Sequence, residues 1–391
     1  MTRLENLIQT LCPDGVEYKP LTELFYTRNG YTPAKTNPAY WSEGTIPWFR
    51  MEDIRANGRI LTHALQYISD KAVKDKPFPA NSIIVATSAT VGEHALLTVE
   101  SLANQRFTYL ILKEQYKTQF DIKFLYYYCF KLDEFCLQHL KLGNFASVDM
   151  SKFAKFLFSI PPLEVQQEIV RILDQFTELT AELTAELTAR KKQFSFYQTM
   201  LFQKAQNATV KYLDEISENC DNLRKPVTSG NRIKGDYPYY GASGIVDYVD
   251  GYLFDGDYLL VSEDGANLLA RSTPIAFSIT GKNWVNNHAH VLHFEEYATR
   301  RYVEFYLNAM DLSPYVTGGA QPKLNQKNLN RIPIPLPPLP EQRRIVSILD
   351  RFDTLCNDLT SGLPAEIAAR QKQYEYYRDK LLTLPEHTEK R

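Results

Sequence analysis

The sequence predicts a mixed α/β protein with a pseudo-two-fold internal repeat. Two globular domains alternate with two long helices, and the helices pack as an antiparallel coiled coil. Three observations point there. Residues 160–179, IPPLEVQQEIVRILDQFTEL, return at 336–355 as LPPLPEQRRIVSILDRFDTL, an offset of 176 residues. The phrase RKKQFSFYQTMLF from Arg190 returns as RQKQYEYYRDKLL from Arg370, an offset of 180. Between the copies lie aromatic, Gly-punctuated stretches with strand-like alternation. Solenoid units run roughly 20–50 residues, so this longer period describes two large units. The expected division is a first globular domain at 1–163, a first helix at 164–206, a second globular domain at 207–338, a second helix at 339–384 and a C-terminal tail at 385–391.

The helical connectors follow from their spacing. From Glu164 the apolar residues Ile169, Leu173, Phe176, Leu183, Leu187, Phe194, Tyr197 and Leu201 fall on stations spaced alternately by four and three, with Thr180 and Arg190 at the two remaining stations. That is a heptad seam, uninterrupted by Gly or Pro after Pro162. A rod of about 40 residues spans roughly 60 Å. The second copy runs through Ile345, Leu349, Phe352, Cys356 and Leu359, then gains four residues before Arg370, Tyr374, Tyr377 and Leu381. Such a stutter unwinds a coiled coil locally, and Gly362 with Pro364 predicts a kink or short break. Outward positions repeat too (Gln166/Gln342, Asp174/Asp350, Arg190/Arg370, Gln193/Gln373), which suggests a surface that meets one kind of partner twice. The tetrapeptide Thr-Ala-Glu-Leu occurs at 180–183 and 184–187. As plain sequence it is a good helix former. As a ruler, four residues add about 6 Å and roughly 40° beyond a full turn, close to one step of B-DNA.

Each globular domain opens on a short strand, GVEYKPLTELF from Gly15 and TVKYLDEIS from Thr209. Alternating strands such as SIIVATSATV, RFTYLILK, DYLLVSEDG and HAHVLHF follow. Each then runs through an aromatic helix (120–140 and 300–310), a polar loop (143–153 and 318–329) and a last strand into the proline pair. The order matches while most residues differ.

Composition bounds the function. The chain has 391 residues, 44% hydrophobic and 23% charged, with a formal net charge of −2. Residues 1–163 carry 18 Lys+Arg against 16 Asp+Glu, and residues 207–335 carry 12 against 15. Neither domain binds nucleic acid through bulk charge, so DNA affinity would come from local patches or a partner. Cys12, Cys129, Cys136, Cys220 and Cys356 form no CxxC pair and read as free thiols. No signal peptide or membrane span is expected, which places the chain in the cytoplasm.

The PPL-x-x-Q-x-x-IV-x-ILD-x-F segment, its second occurrence and the xKQ(F/Y)xxY ending resemble the spacer helices of type I restriction–modification specificity subunits. The Thr-Ala-Glu-Leu run and SGLPAEI fit the same family, and the likeness covers essentially the whole chain. The resemblance implies two target-recognition domains, each reading one half of a bipartite, asymmetric site in double-stranded DNA. It implies no catalysis in this chain. Two methyltransferase subunits would dock on the helices and bind S-adenosylmethionine. Restriction (motor) subunits, using ATP and Mg, would join through that complex, and this chain itself would bind no cofactor. The alternatives are a stand-alone methyltransferase or endonuclease, and a structural coiled-coil adaptor. The first lacks its motifs here, and the second has no need of two unlike globular halves.

No phosphate-binding loop occurs. Asn37-Pro38-Ala39-Tyr40 only superficially resembles an adenine methyltransferase tetrapeptide. His288, His290 and His293 form the densest ligand cluster, with a polar strand edge as the plainer reading, and no metal is assigned. Candidate DNA contacts are polar or cationic loop residues. In the first domain they are Lys35, Arg50, Thr87, Ser88, Thr90, Gln105, Arg106, Ser147 and Lys152. In the second they are Tyr239, Tyr240, Ser243, Asn267, Arg271, Lys282, Asn283, Gln321, Lys323 and Lys327. For each, the plain alternative is a solvated loop residue or a local turn bond.

Overall fold

The structure is a computed structural model and describes residues 2–141, 145–319 and 321–387. Gly143 and Asn144 of the first polar loop, Ala320 of the second and residues 388–391 of the tail lie outside the described residues. The chain divides into two compact units, Met1–Ala181 with Ala369–Arg391, and Glu182–Ala368. Each contains one globular domain and parts of both helical connectors.

The first unit is built on β1 (Phe25–Asn29), β2 (Ile46–Phe49), β3 (Ser82–Ala86), β4 (His94–Leu97), β5 (Leu102–Ala103) and β6 (Phe107–Leu112). The main sheet runs β1-β6-β3-β4, with Ile60–Leu61 at its edge. Its alternation sorts side chains to two cores. Ile83, Val85, Leu96 and Leu110 face helix α1 (Ile122–Gln138), while Ile84, Ala86, Ala95, Leu97 and Tyr109 face Trp48, Phe49, Met51 and Ile54. A small sheet pairs β2 parallel to β5 and antiparallel to Tyr67–Ile68. The opening strand Glu17–Pro20 pairs antiparallel with the closing strand Leu157–Ile160, which brings the chain back to where the long helix starts.

The second unit repeats this plan with β7 (Glu218–Asn219), β8 (Lys234–Gly241), β9 (Tyr258–Ser262), β10 (Ala276–Ile279), β11 (Lys282–Val285) and β12 (Ala289–His293). Its main sheet runs β7-β12-β9-β10, and β8 again pairs parallel with β11. Leu259, Val261 and Leu292 pack on helix α3 (Tyr297–Ala309), while Leu260, Val285 and Val291 face the other way. Thr209–Tyr212 and Pro333–Leu336 form the opening and closing pair.

The connectors are α2 (Leu163–Ala205), α4 (Leu339–Asn357) and α5 (Leu363–Leu381). Ile169 and Leu173 are fully buried in the first unit's core, and Ile345 and Leu349 in the second's. Burying each contributes about 1.5–3 kcal/mol. The antiparallel pairing appears as one contact made twice. Phe176 stacks on Tyr377 at 5.6 Å in the first unit, and Phe352 stacks on Tyr197 at 5.5 Å in the second. The break expected near Gly362 falls between Asn357 and Leu363. Asp358 accepts bonds from Thr360 and Ser361 there, and a Cβ on Gly362 would lie 2.5 Å from the Thr354 carbonyl oxygen.

Two of the repeated polar pairs do not face outward. Gln166 and Gln342 are buried, their amides donating to the Pro161 and Pro337 carbonyls at 2.8 and 2.7 Å. A buried amide needs partners, and the turn before each helix supplies one. Asp174 accepts from Lys123 Nζ and Tyr127 OH on α1, both at 2.7 Å. Asp350 accepts from Tyr297 OH and Arg301 Nε on α3, both at 2.9 Å. Those pairs lock each connector to its own domain. All five cysteines are buried and free. No helix among the described residues is long and apolar enough to cross a membrane.

Candidate nucleic-acid interface

At one corner of the first unit, three loops are laced together by backbone bonds. Where β2 and β5 end, the Asn104 amide donates to the Phe49 carbonyl at 3.0 Å, and Asn104 Oδ1 accepts from the Arg106 amide at 3.0 Å. This Asx bend turns the chain outward. The Arg106 carbonyl then accepts from Thr87 N at 3.0 Å, and the Thr87 carbonyl from Val148 N at 2.9 Å. Ser88 bridges to Ser147. Ala89 sits at φ 65°, a left-handed conformation that costs a non-Gly residue about 1–2 kcal/mol. Strain of this kind collects at functional loops.

Beside the corner lies an open groove of about 500 Å³. Lys35, Arg50, Gln105 and Arg106 line it, together with Gln66, Asn104, Glu52 and the rings of Trp41 and Trp48. The Arg50 guanidinium lies 5.6 Å from the Trp48 ring, and its Nε is buried with no hydrogen-bond partner. Three cations stand against one carboxylate, with amides between them, a set rich in hydrogen-bond donors of the kind that can meet phosphates and base edges.

The same lacing recurs in the second unit. Asn286 N donates to the Tyr240 carbonyl at 3.1 Å and Asn286 Oδ1 accepts from His288 N at 2.8 Å. The His288 carbonyl accepts from Glu263 N at 2.9 Å, and the Glu263 carbonyl from Leu324 N at 2.7 Å. Asp264 bridges to Lys323. Thus His288 occupies the station of Arg106, Glu263 and Asp264 those of Thr87 and Ser88, and Lys323 that of Ser147. The side chains differ completely. Lys323 Nζ pairs with Glu263 at 3.1 Å, and His288 Nδ1 lies 2.9 Å from Asp264.

Beneath this rim, Asp221, Glu263 and His290 lie close enough to hold a metal ion. Arg224 already serves that cluster, 2.7 Å from Glu263 and 3.2 Å from Asp221, while His290 bonds Asp221 at 2.6 Å and the Leu324 carbonyl at 2.7 Å. Burial pushes the Asp221 carboxyl up, but the His290 bond, the Val291 amide and Arg224 outweigh it and leave the group below its ordinary value. The arrangement is an internal ion network. His288, His290 and His293 do not converge, since each meets a different acid or carbonyl.

Several expected contacts are withdrawn by burial or internal bonding. Tyr239 is 1% exposed and its hydroxyl holds the Val227 backbone. Asn283 is fully buried and donates to the Gly281 carbonyl. Arg271 caps α3, donating to the Leu307 and Met310 carbonyls at 3.1 and 2.8 Å. Asn267 is engaged by Ser272 and Thr273. Thr87 is buried against Thr108, and Thr90 Oγ1 is buried without a partner. Tyr240 is half-buried beside Phe277, where burial raises its phenol. Ser243, Gln321 and Lys327 are exposed, as is Lys152 on the helix Met150–Phe153. Lys282 lies over the Tyr252 ring at 4.6 Å. Asn37 caps a single 3-10 turn through Ala39. The sequence offered a histidine of the 288–293 cluster touching DNA only as part of a polar strand edge, and it did not single out His288 or Asp264. The signal for them was an Asn two residues before Arg106 and before His288, each ahead of a strand.

A family model for the type I restriction modification DNA specificity domain matches residues 13–190 and again 206–369. The chain belongs to this family. Among curated relatives, the specificity subunit of the type I restriction enzyme EcoprrI of Escherichia coli is 43% identical over 380 residues, covering 92% of this chain and 93% of that protein. The EcoR124I/EcoR124II specificity subunit, also from E. coli, is 36% identical over 247 residues, 57% of this chain and 60% of that one. The crystal structure of a type I restriction–modification S subunit from M. genitalium matches with a TM-score of 0.56 at 17% identity, covering 95% of this chain and 97% of the other. A chain from a study of type I restriction–modification complex assembly matches at 0.61 and 16% identity, covering 94% and 97%. At those identities the two structures establish a shared fold.

Proposed function

We propose that this DNA-specificity subunit reads a bipartite, asymmetric double-stranded site, one half-site at the laced corner of each unit. The observation that carries this is the corner itself: one backbone frame built twice, bearing cations and amides in the first unit and Glu263, Asp264, His288 and Lys323 in the second. A frame kept while its side chains diverge suits two readers with different targets. With a net charge of −2, the chain relies on an assembled complex for much of its affinity.

The helices supply the docking surface for two methyltransferase subunits. Phe196 and Tyr376 occupy matching positions in the repeat and are 64% and 62% exposed, each following an exposed lysine, Lys192 and Lys372. Arg190 bonds Gln193 and Arg370 bonds Gln373, both at 3.0 Å, so the surrounding surface also repeats. Catalysis belongs to the partners, S-adenosylmethionine to the methyltransferases, ATP and Mg to restriction subunits, and the complex to the cytoplasm.

Methylome sequencing of a host expressing the chain with its methyltransferase partner tests the reading. Two short half-sites around an unread spacer are expected, and one continuous motif overturns it. The Thr-Ala-Glu-Leu repeats lie inside unbroken α2. Deleting Thr184–Leu187 removes about 6 Å of helix and is expected to change the spacer by about one base pair while both half-sites stay the same.

A further inference from the structure

His288 stands out on the second rim because everything around it is arranged except one atom. Its backbone is pinned on both sides, the amide by Asn286 Oδ1 at 2.8 Å and the carbonyl by Glu263 N at 2.9 Å. Its ring is aimed by Asp264, whose two carboxylate oxygens lie 3.0 and 2.9 Å from Nδ1. The side chain is nevertheless 52% exposed. Among the described residues nothing bonds Nε2. A carboxylate accepts only, so the proton of the neutral ring sits on Nδ1 and Nε2 is left as an acceptor facing out.

We propose that His288, positioned by Asp264, reads one base of the second unit's half-site by accepting a hydrogen bond from the exocyclic amino group of adenine or cytosine in the major groove. The inference rests on the reading that this corner contacts DNA, and it names the atom and the edge. In the major groove the amino groups of adenine and cytosine are the donors, whereas guanine and thymine present acceptors at those places. The equivalent station in the first unit carries Arg106, flanked by Thr87 and Ser88 where the second unit has Glu263 and Asp264. Its guanidinium only donates and suits a guanine edge. The two stations therefore select opposite hydrogen-bond polarities from one backbone frame.

The test is methylome sequencing in a host carrying the methyltransferase partner with the wild-type chain, His288→Ala, Asp264→Asn or Arg106→Ala. The wild type first decides whether a bipartite motif exists at all; without one, the underlying reading fails. Given that motif, His288→Ala is expected to relax a single base pair of one half-site by roughly tenfold and leave the other half-site unchanged. Asp264→Asn frees the ring to place its proton on Nε2 and is expected to shift preference at that same position toward a base presenting an acceptor. Arg106→Ala should relax a position in the other half-site. If both second-unit variants methylate the wild-type motif unchanged, or the position that Asp264→Asn shifts is not the one that His288→Ala relaxes, the assignment to His288 is wrong while the bipartite reading stands. Should His288→Ala methylate nothing, competition binding of the assembled complex to duplexes altered at each half-site position decides. Lost discrimination at one position supports the proposal, and uniform weakening at all positions overturns it.

Discussion

The two globular units hold their corners and their helix clamps by different rules. At the corner, the bonds common to both units come from the backbone or from one asparagine, Asn104 or Asn286. Arg106, Thr87, Ser88 and Ser147 are therefore replaceable by His288, Glu263, Asp264 and Lys323 without loss of the frame. At the clamp, side chains do the holding, and their chemistry is kept. Asp174 meets an ammonium and then a phenol one turn later, Lys123 and Tyr127. Asp350 meets the phenol first and the cation second, Tyr297 and Arg301. The contrast teaches that divergence is cheap where the backbone carries the architecture and confined where side chains carry it.

The clamps offer the largest test. Arg301 is half-buried, its side chain 12% exposed, and also pairs with Glu304 and Asp353. Burial raises the Glu304 carboxyl, against the pull of Arg301 and a bond from Ser278. Arg301→Ala leaves that buried acid without its cation, held only by Ser278, and is expected to cost about 3–5 kcal/mol in urea unfolding. Lys123 is 41% exposed, and Tyr127 still holds Asp174 without it. Lys123→Ala should cost no more than about 1 kcal/mol. Equal costs would break the distinction between the clamps.

A second test concerns the surface that the two copies share. Phe196→Ala should leave one methyltransferase bound per chain, and Phe196→Ala with Tyr376→Ala none, each site weakened by about 1–3 kcal/mol with stability unchanged. Analytical ultracentrifugation reads the stoichiometry. Unaltered two-to-one assembly by the double variant would remove these rings from the interface.

Smaller effects probe the corners. Asn104→Ala and Asn286→Ala each remove the acceptor of one amide and should cost about 1 kcal/mol, equally in both units. A marked difference in urea midpoints would show that the shared frame is supported unequally.

The smallest effect is one of pH. The helix after the first polar loop is capped by Asp149, whose carboxyl is lowered to about 2, first by the Ser151 hydroxyl and then by its amide and Lys141. In the second unit the cap at the same station is Asn325, which does not titrate. Since the folded value is depressed, the Asp149 contribution is present above the ordinary carboxyl range near 4 and lost as pH falls through about 2. Hydrogen exchange at the Ser151 amide should accelerate between about pH 4 and 2, and that at Asn328 should not. Parallel acceleration at both would show that global acid unfolding, not the cap, is responsible.

Legibility followed distance along the chain. The break before Leu363 was readable because a stutter and a glycine are local signals, and the seam residues Ile169, Leu173, Ile345 and Leu349 because a heptad needs no knowledge of its partner. The outward reading of Gln166 and Gln342 failed for the opposite reason. An amide is equally at home in water or against a carbonyl, and only the Pro161 and Pro337 turns decide. Tyr239, Asn283 and Arg271 failed likewise, because a polar residue in a Gly-rich stretch reads as a loop until strand pairing puts it inside. Of the candidate contacts, Lys35, Arg50, Gln105 and Arg106 come from three separate segments, and no pattern in the sequence announced that they share one groove.

By itself, then, the sequence determined the duplication, the helices, their break and the family, all of which depend on periodicity or on long repeated words. Tertiary structure alone decided which polar side chains look outward and that Arg106 and His288 stand at one station. The physical reason is that burial and hydrogen-bond pairing are set by residues far away in the chain. Asp264 and His288, 24 residues apart, meet only once the strands between them have folded.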